Sequence, residues 1–175
     1  MRQIALDTET TGVDCDAGHR VIQIACIELQ NGEPTGAIYH QYLNPQFIMP
    51  DDIIAVHGIT NEFLHNKPLF REIAADFLAF IDGAELIIHH APFDLGFLNM
   101  ELRLAMPDEK PIEERCHIID TLTLAKAQYP GQRNSLLVLA DRLGLEAHAD
   151  DAAGCAMRDA ILTAKLYKQL STRNP

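Results

Sequence analysis

An apolar run, Gln3-Ile4-Ala5-Leu6, leads without a break into Asp7-Thr8-Glu9-Thr10-Thr11-Gly12. The run reads as a buried strand, and side chains two residues apart on a strand share a face, so Asp7 and Glu9 should converge at its end. Two like charges held together in a half-buried place are costly unless a cation neutralises them. The fold must therefore bring the end of a buried strand to a place that a divalent ion can reach. Hard carboxylate oxygens suit Mg²⁺ or Mn²⁺. Taken alone, D-x-E fits a solvated strand end as well, and the rest of the chain has to decide.

With 175 residues, 47% of them hydrophobic and 22% charged, the sequence is expected to form one α/β domain over 1–175 with a substantial core. No run approaches a membrane span, and the first strand starts too near Met1 to leave room for a signal peptide. Cys15, Cys26, Cys116 and Cys155 are scattered, without a C-x-x-C, as in a cytoplasmic protein with reduced thiols. The eight histidines lack zinc-ligand spacing. A net charge of −11 with no basic run excludes a protein that grips long nucleic acid by neutralising phosphates. It leaves room for an enzyme that holds one strand end, where bound cations offset the local field.

Further along, Val21 to Leu29 is a strong strand, Asn31-Gly32 signals a two-residue hairpin, and the return strand covers about Gly36 to Leu43. Short helices are predicted near Asp52–His57 and after Thr60, a good N-cap. Apolar residues at 70, 73, 74, 77, 78 and 81 give a surface helix its 3.6-residue period. Glu85 to His90 reads as a short buried strand, followed by a helix that Pro92 opens, and His117 to Asp120 as the last strand. Helices over roughly 121–128, 135–143 and 152–170 complete a mixed sheet, a three-strand meander plus two further strands, flanked by helices. Asp94 falls in a first helical turn, where the helix dipole favours an anion. Asp159 falls in the long last helix, and each of these two acids alone could equally be a cap or a surface charge.

Taken together, these residues resemble the DnaQ-like exonucleases of the DEDD superfamily, most of all the proofreading epsilon subunits of bacterial DNA polymerase III. Ile4 to Gly12 is similar to the first family motif, Val56-His57-Gly58-Ile59-Thr60 to the substrate-contacting turn, and His89 to Asp94 to the second motif. Ile119 to Leu122, Arg133 to Leu136 and Asp159-Ala160 complete the pattern. The resemblance implies a ribonuclease H-like fold and removal of nucleotides from a single-stranded or frayed DNA 3′ end beside a polymerase subunit. It also implies Asp7, Glu9, Asp94 and Asp159 as ligands of two divalent cations, which together activate water and steady the leaving 3′ oxygen. His57 and His89, the backbone of Thr10 and Gly12 and, more weakly, Asp52 are implied as substrate contacts.

One departure matters. The family carries a catalytic histidine five residues before its last aspartate, and here that position is Gly154, in Gly154-Cys155-Ala156-Met157-Arg158-Asp159. A related subclass has a tyrosine one residue later, where this chain has Cys155. Three readings stay open: His148 swings in as a substitute base, the enzyme runs slowly without one, or the chain is a catalytically silent subunit that binds a DNA end or a polymerase. RNA trimming is a further alternative. A positioned base contributes on the order of 10²–10⁴-fold, so Gly154→His is expected to raise the rate if only the base is missing, and no gain would point to a helix start that places position 154 elsewhere. His90, where the family usually has asparagine, is a milder departure. The sequence ends at Pro175 without the longer tail of epsilon subunits, which suggests a truncated chain or a stand-alone exonuclease.

Overall fold

The computed structural model of the protein describes residues 1–147 and 154–172. Five strands form one mixed sheet in the order β3-β2-β1-β4-β5: β1 (Arg2–Thr10), β2 (Val21–Gln30), β3 (Glu33–Tyr42), β4 (Glu85–Ile88) and β5 (His117–Asp120). The β1–β2 and β2–β3 pairs are antiparallel; β1–β4 and β4–β5 are parallel. The hairpin expected at Asn31-Gly32 is present, with positive φ at both residues, 55° and 80°, as a type I′ turn requires. In β1 the first strand runs further than its apolar part, so Asp7 and Glu9 lie within the sheet. It continues through Thr10 by a bulge opposite β2. In the other direction β4 stops at Ile88, two residues earlier than expected, because His90 turns into the left-handed region.

The helices are α1 (Asp51–His57), α2 (Asn61–Leu64), α3 (Phe70–Ile81), α4 (Ala91–Ala105), α5 (Thr121–Gln128), α6 (Leu136–Leu143) and α7 (Gly154–Thr172). The alternation of β1 divides the core. Ile4 and Leu6 face α3 and α4, in a cluster that includes Phe77, Ile81, Phe97 and Leu98. Ala5 faces the other way and packs with Ala25, Ile87, Ala156, Met157 and Ala160, under α7. Four of these, Ala5, Ala25, Ala156 and Ala160, are alanines, and all four are fully buried. Small residues on both sides let the helix lie close to the sheet, and this brings Asp159, next to Ala160, over the strand that carries Asp7 and Glu9.

The other layer is tied to the same strand end. Glu101 of α4, almost fully buried, takes both arms of Arg20, at 2.7 Å (Nε) and 2.6 Å (Nη2), and accepts from Val21 N at 3.2 Å. Thr11 N in turn donates to Arg20 O, so the turn that leaves β1 is anchored to the helix that carries Asp94. A bidentate, charge-assisted pair of this kind fixes orientation as well as distance.

Candidate active site

The two faces of β1 meet the site from opposite sides. Asp7 and Glu9 point toward α7, where one oxygen from each of Asp7, Glu9 and Asp159 lies within 4.8 Å of the other two. Thr8, between them, must face α4. There its backbone N and its Oγ1 both donate to Asp94 Oδ1, at 3.0 and 2.8 Å. Asp94 is only 3% exposed. The resemblance implies all four carboxylates as ligands. The structure gives three carboxylates in a tight group and a fourth reaching around the end of the strand, with one oxygen committed to Thr8.

The electrostatics show what this grouping costs. Burial, followed by the charges of Asp94, Asp159 and Glu9, holds the Asp7 carboxyl well above its ordinary range, and only Arg158 opposes. Burial and Asp159 lift Glu9 to about 7. Asp94 is also lifted to about 7, by burial, against the pull of its two bonds from Thr8. Carboxylates raised in this way by one another and by desolvation hold a proton unless a cation replaces it. The donor set is all hard oxygen, which fits Mg²⁺ or Mn²⁺. The guanidinium of Arg158 is the local counter-charge, donating through Nε to Asp159 Oδ1 at 2.8 Å.

Thr8 gave no signal as a motif, yet alternation could have found it: a polar residue on the Ile4/Leu6 face needs a buried partner. Thr8→Val keeps the backbone donor and removes the hydroxyl. Because groups that orient a ligand typically affect affinity by about 10- to 100-fold, calorimetric titration of Mn²⁺ should show a loss in that range. Unchanged affinity would mean that Asp94 is held without Thr8.

The remaining expected residues fall into distinct groups. His57 closes α1; its Nδ1 accepts from Ile59 N at 3.0 Å, which leaves Nε2 protonated, and that atom is buried with no hydrogen-bond partner among the described residues. Burial also holds its pKa below the ordinary histidine value. A buried donor with no acceptor costs free energy that a ligand oxygen would recover. Thr10 Oγ1 donates to Gly12 O at 2.6 Å. A Cβ at Gly12 would lie 2.5 Å from the His19 ring, so only glycine fits under it. Asp52 is exposed at the start of α1, where its side chain accepts from Ile53 N.

His89 spends both ring nitrogens on the protein, on Thr121 Oγ1 and Asn134 O, each at 3.0 Å. It therefore joins the end of β4 to α5 and the approach to α6, with no ring nitrogen left for a substrate. Asp120 is a second clamp missed as such: it accepts from His90 N, Leu122 N and Thr123 Oγ1. His90, at φ 74°, occupies a conformation in which asparagine and histidine are both enriched, a backbone reason for the exchange. His148 lies outside the described residues.

Gly154 opens α7 at φ 71°, and a Cβ there would come within 2.4 Å of Tyr42 Oη and 2.6 Å of Gln23 Nε2. The left-handed conformation costs a residue with a Cβ roughly 1–2 kcal/mol, before the overlap is relieved. Gly154→His alone is therefore expected to lower the melting temperature and to give no gain in rate, the outcome that goes with a helix start placing position 154 elsewhere. A tenfold gain in a nuclease assay would show that the helix start rebuilds readily. Cys155 is no nucleophile: burial holds its thiol above the ordinary value, and its Sγ points to His57 O at 3.7 Å.

Comparison with known proteins settles the family. Residues 4–167 match the family described as Exonuclease. The chain belongs to that family. It is 45% identical over 171 residues to the DNA polymerase III subunit epsilon of Rickettsia felis, covering 98% of this chain and 74% of that protein. The same subunit of Haemophilus influenzae is 44% identical over 174 residues, covering 97% and 67%. Solved structures share the fold. An exonuclease X in complex with 5′ overhanging duplex DNA superposes with a TM-score of 0.74 at 23% identity, over 99% of this chain and 92% of that one. A structure of exonuclease I gives 0.82 at 19%, over 99% and 41%. The nuclease domain of 3′hExo, a DEDDh family member bound to rAMP, gives 0.80 at 16%, over 99% and 92%. The ribonuclease H-like α/β architecture of this exonuclease is therefore that of the DEDD enzymes. No helix among its described residues is long and apolar enough to cross a membrane.

Proposed function

We propose that this exonuclease removes nucleotides in the 3′→5′ direction from DNA ends, as the proofreading partner of a replicative polymerase in the cytoplasm. The observation that carries the reading is the group of Asp7, Glu9 and Asp159 beside buried Asp94 at the end of a central strand. These four side chains would hold two divalent cations, Mg²⁺ or Mn²⁺. Cations so held activate water and offset charge on the leaving oxygen. The His57 Nε2–H, without a partner among the described residues, is a donor suited to the terminal nucleotide, and the turn of Thr10 and Gly12, pinned through Arg20 to α4, offers backbone to its sugar and base. Asp52, exposed in the first turn of α1, would touch the 3′ hydroxyl.

A helix that offers glycine at position 154 supplies no imidazole, so the rate should be low for such a site. The same observation favours a second reading, a silent subunit that binds a DNA end or a polymerase. Hydrolysis of matched and mismatched primer termini, beside an RNA strand of the same sequence, separates these readings. Faster removal of mismatched DNA termini supports proofreading. Preference for the RNA strand supports RNA trimming, and end binding without cleavage supports the silent subunit.

A further inference from the structure

The space that a side chain at position 154 would fill is already taken. Besides Tyr42 Oη and Gln23 Nε2, a Cβ there would meet Gln23 Oε1 at 3.0 Å. These groups belong to one row across the sheet. Glu9 of β1 is paired with Gln23 of β2, which is paired with Tyr42 of β3, and directly opposed residues project from the same face. The row therefore runs from a member of the carboxylate group to the first residue of α7.

Each part of the row is held. Gln23 is fully buried, with Nε2 at 2.8 Å from His40 Nε2 and Oε1 accepting from Ala156 N at 3.4 Å. The Tyr42 ring meets the His40 ring edge-on at 5.0 Å and that of Phe63 at 4.8 Å. Lys67 Nζ stands 5.9 Å from its centroid. Hydrolysis at this site gains rate from a polar atom that orients the attacking water and is not itself a cation ligand. Among the described residues of the α7 turn before Asp159, Gly154 has no side chain, Cys155 points to the His57 carbonyl, Ala156 and Met157 are apolar, and the guanidinium of Arg158 donates to Asp159.

We propose that the Tyr42 hydroxyl, inserted from β3 into the space left by Gly154, orients the attacking water in this exonuclease. The inference rests on the nuclease reading above. Its role is positional: the oxygen accepts a hydrogen bond from the water, and no proton passes to it. Burial, with the charges of Cys155 and Glu9, holds the hydroxyl above its ordinary pKa, so it stays protonated through neutral pH. Gly154 is then required, because any Cβ would displace the hydroxyl.

The test is Tyr42→Phe in the full chain, which removes one oxygen and leaves the ring in place. With Mn²⁺ and single-stranded DNA, kcat should fall at least about tenfold, while KM, Mn²⁺ affinity and melting temperature stay those of the wild type. Wild-type kcat in the variant would overturn the proposal, and so would a fall in kcat matched by lost Mn²⁺ affinity or a lower melting temperature, since that marks a structural role. A wild-type protein that hydrolyses nothing would overturn the nuclease reading itself, and this inference with it.

Discussion

Asp7→Asn is expected to stop hydrolysis and, at the same time, to make the metal-free protein more stable. The two effects share one cause. Asp7 faces Glu9 and Asp159 within a group 4.8 Å across and also feels Asp94, so its charge is useful only when cations are bound. An amide of the same shape removes the repulsion and the ligand together. Loss of cation-assisted catalysis is worth several kcal/mol, so the rate should fall by at least about 10³-fold. Relief of like-charge burial should contribute about 1–3 kcal/mol at pH 8, seen as a melting temperature higher by several degrees without metal and no longer raised by Mn²⁺. Full hydrolysis in the variant would remove Asp7 from the site. Lost activity with a lower melting temperature would indicate damage to the fold instead.

The second large effect is on stability against pH. In the unfolded chain Glu9 and Asp94 titrate near 4.5 and 3.8, whereas in the folded, metal-free protein both titrate at about 7. Between these limits the folded state binds more protons than the unfolded state, so stability falls as pH rises. The favourable contribution is complete below about pH 4 and lost once pH passes about 7; across that window Glu9 is worth roughly 3 kcal/mol and Asp94 roughly 4 kcal/mol. Saturating Mn²⁺ requires deprotonated ligands and reverses the sign. Urea unfolding from pH 4.5 to 8 should therefore give a falling curve without metal and a rising difference between the metal-bound and metal-free forms. A metal-free curve that is flat or rises would contradict the buried, mutually repelling arrangement.

Much of this arrangement was legible in the chain. The two-residue period placed Asp7 and Glu9 on one face, Asn31-Gly32 fixed the hairpin, and Thr60 caps α2 as expected, its Oγ1 accepting from Phe63 N at 3.1 Å. What could not be read is what depends on contacts between distant segments. Thr8 and Asp94 are 86 residues apart, and nothing local marks them as partners. His89 looks like a site residue because it opens the second motif, but the positions of Thr121 and Asn134 decide what its nitrogens do. Gly154 reads as a missing histidine in sequence. In space it is a position whose side-chain volume belongs to Tyr42 and Gln23, set by the registers of three strands and the docking of α7 on an alanine patch.

The most direct test is digestion of a 5′-labelled single-stranded DNA by the purified protein with Mg²⁺, with Mn²⁺ and with a chelator. The account predicts a ladder of products shortened one nucleotide at a time from the 3′ end, present with either metal and absent with the chelator. Intact DNA under all three conditions, or cleavage that persists in the chelator, would contradict it.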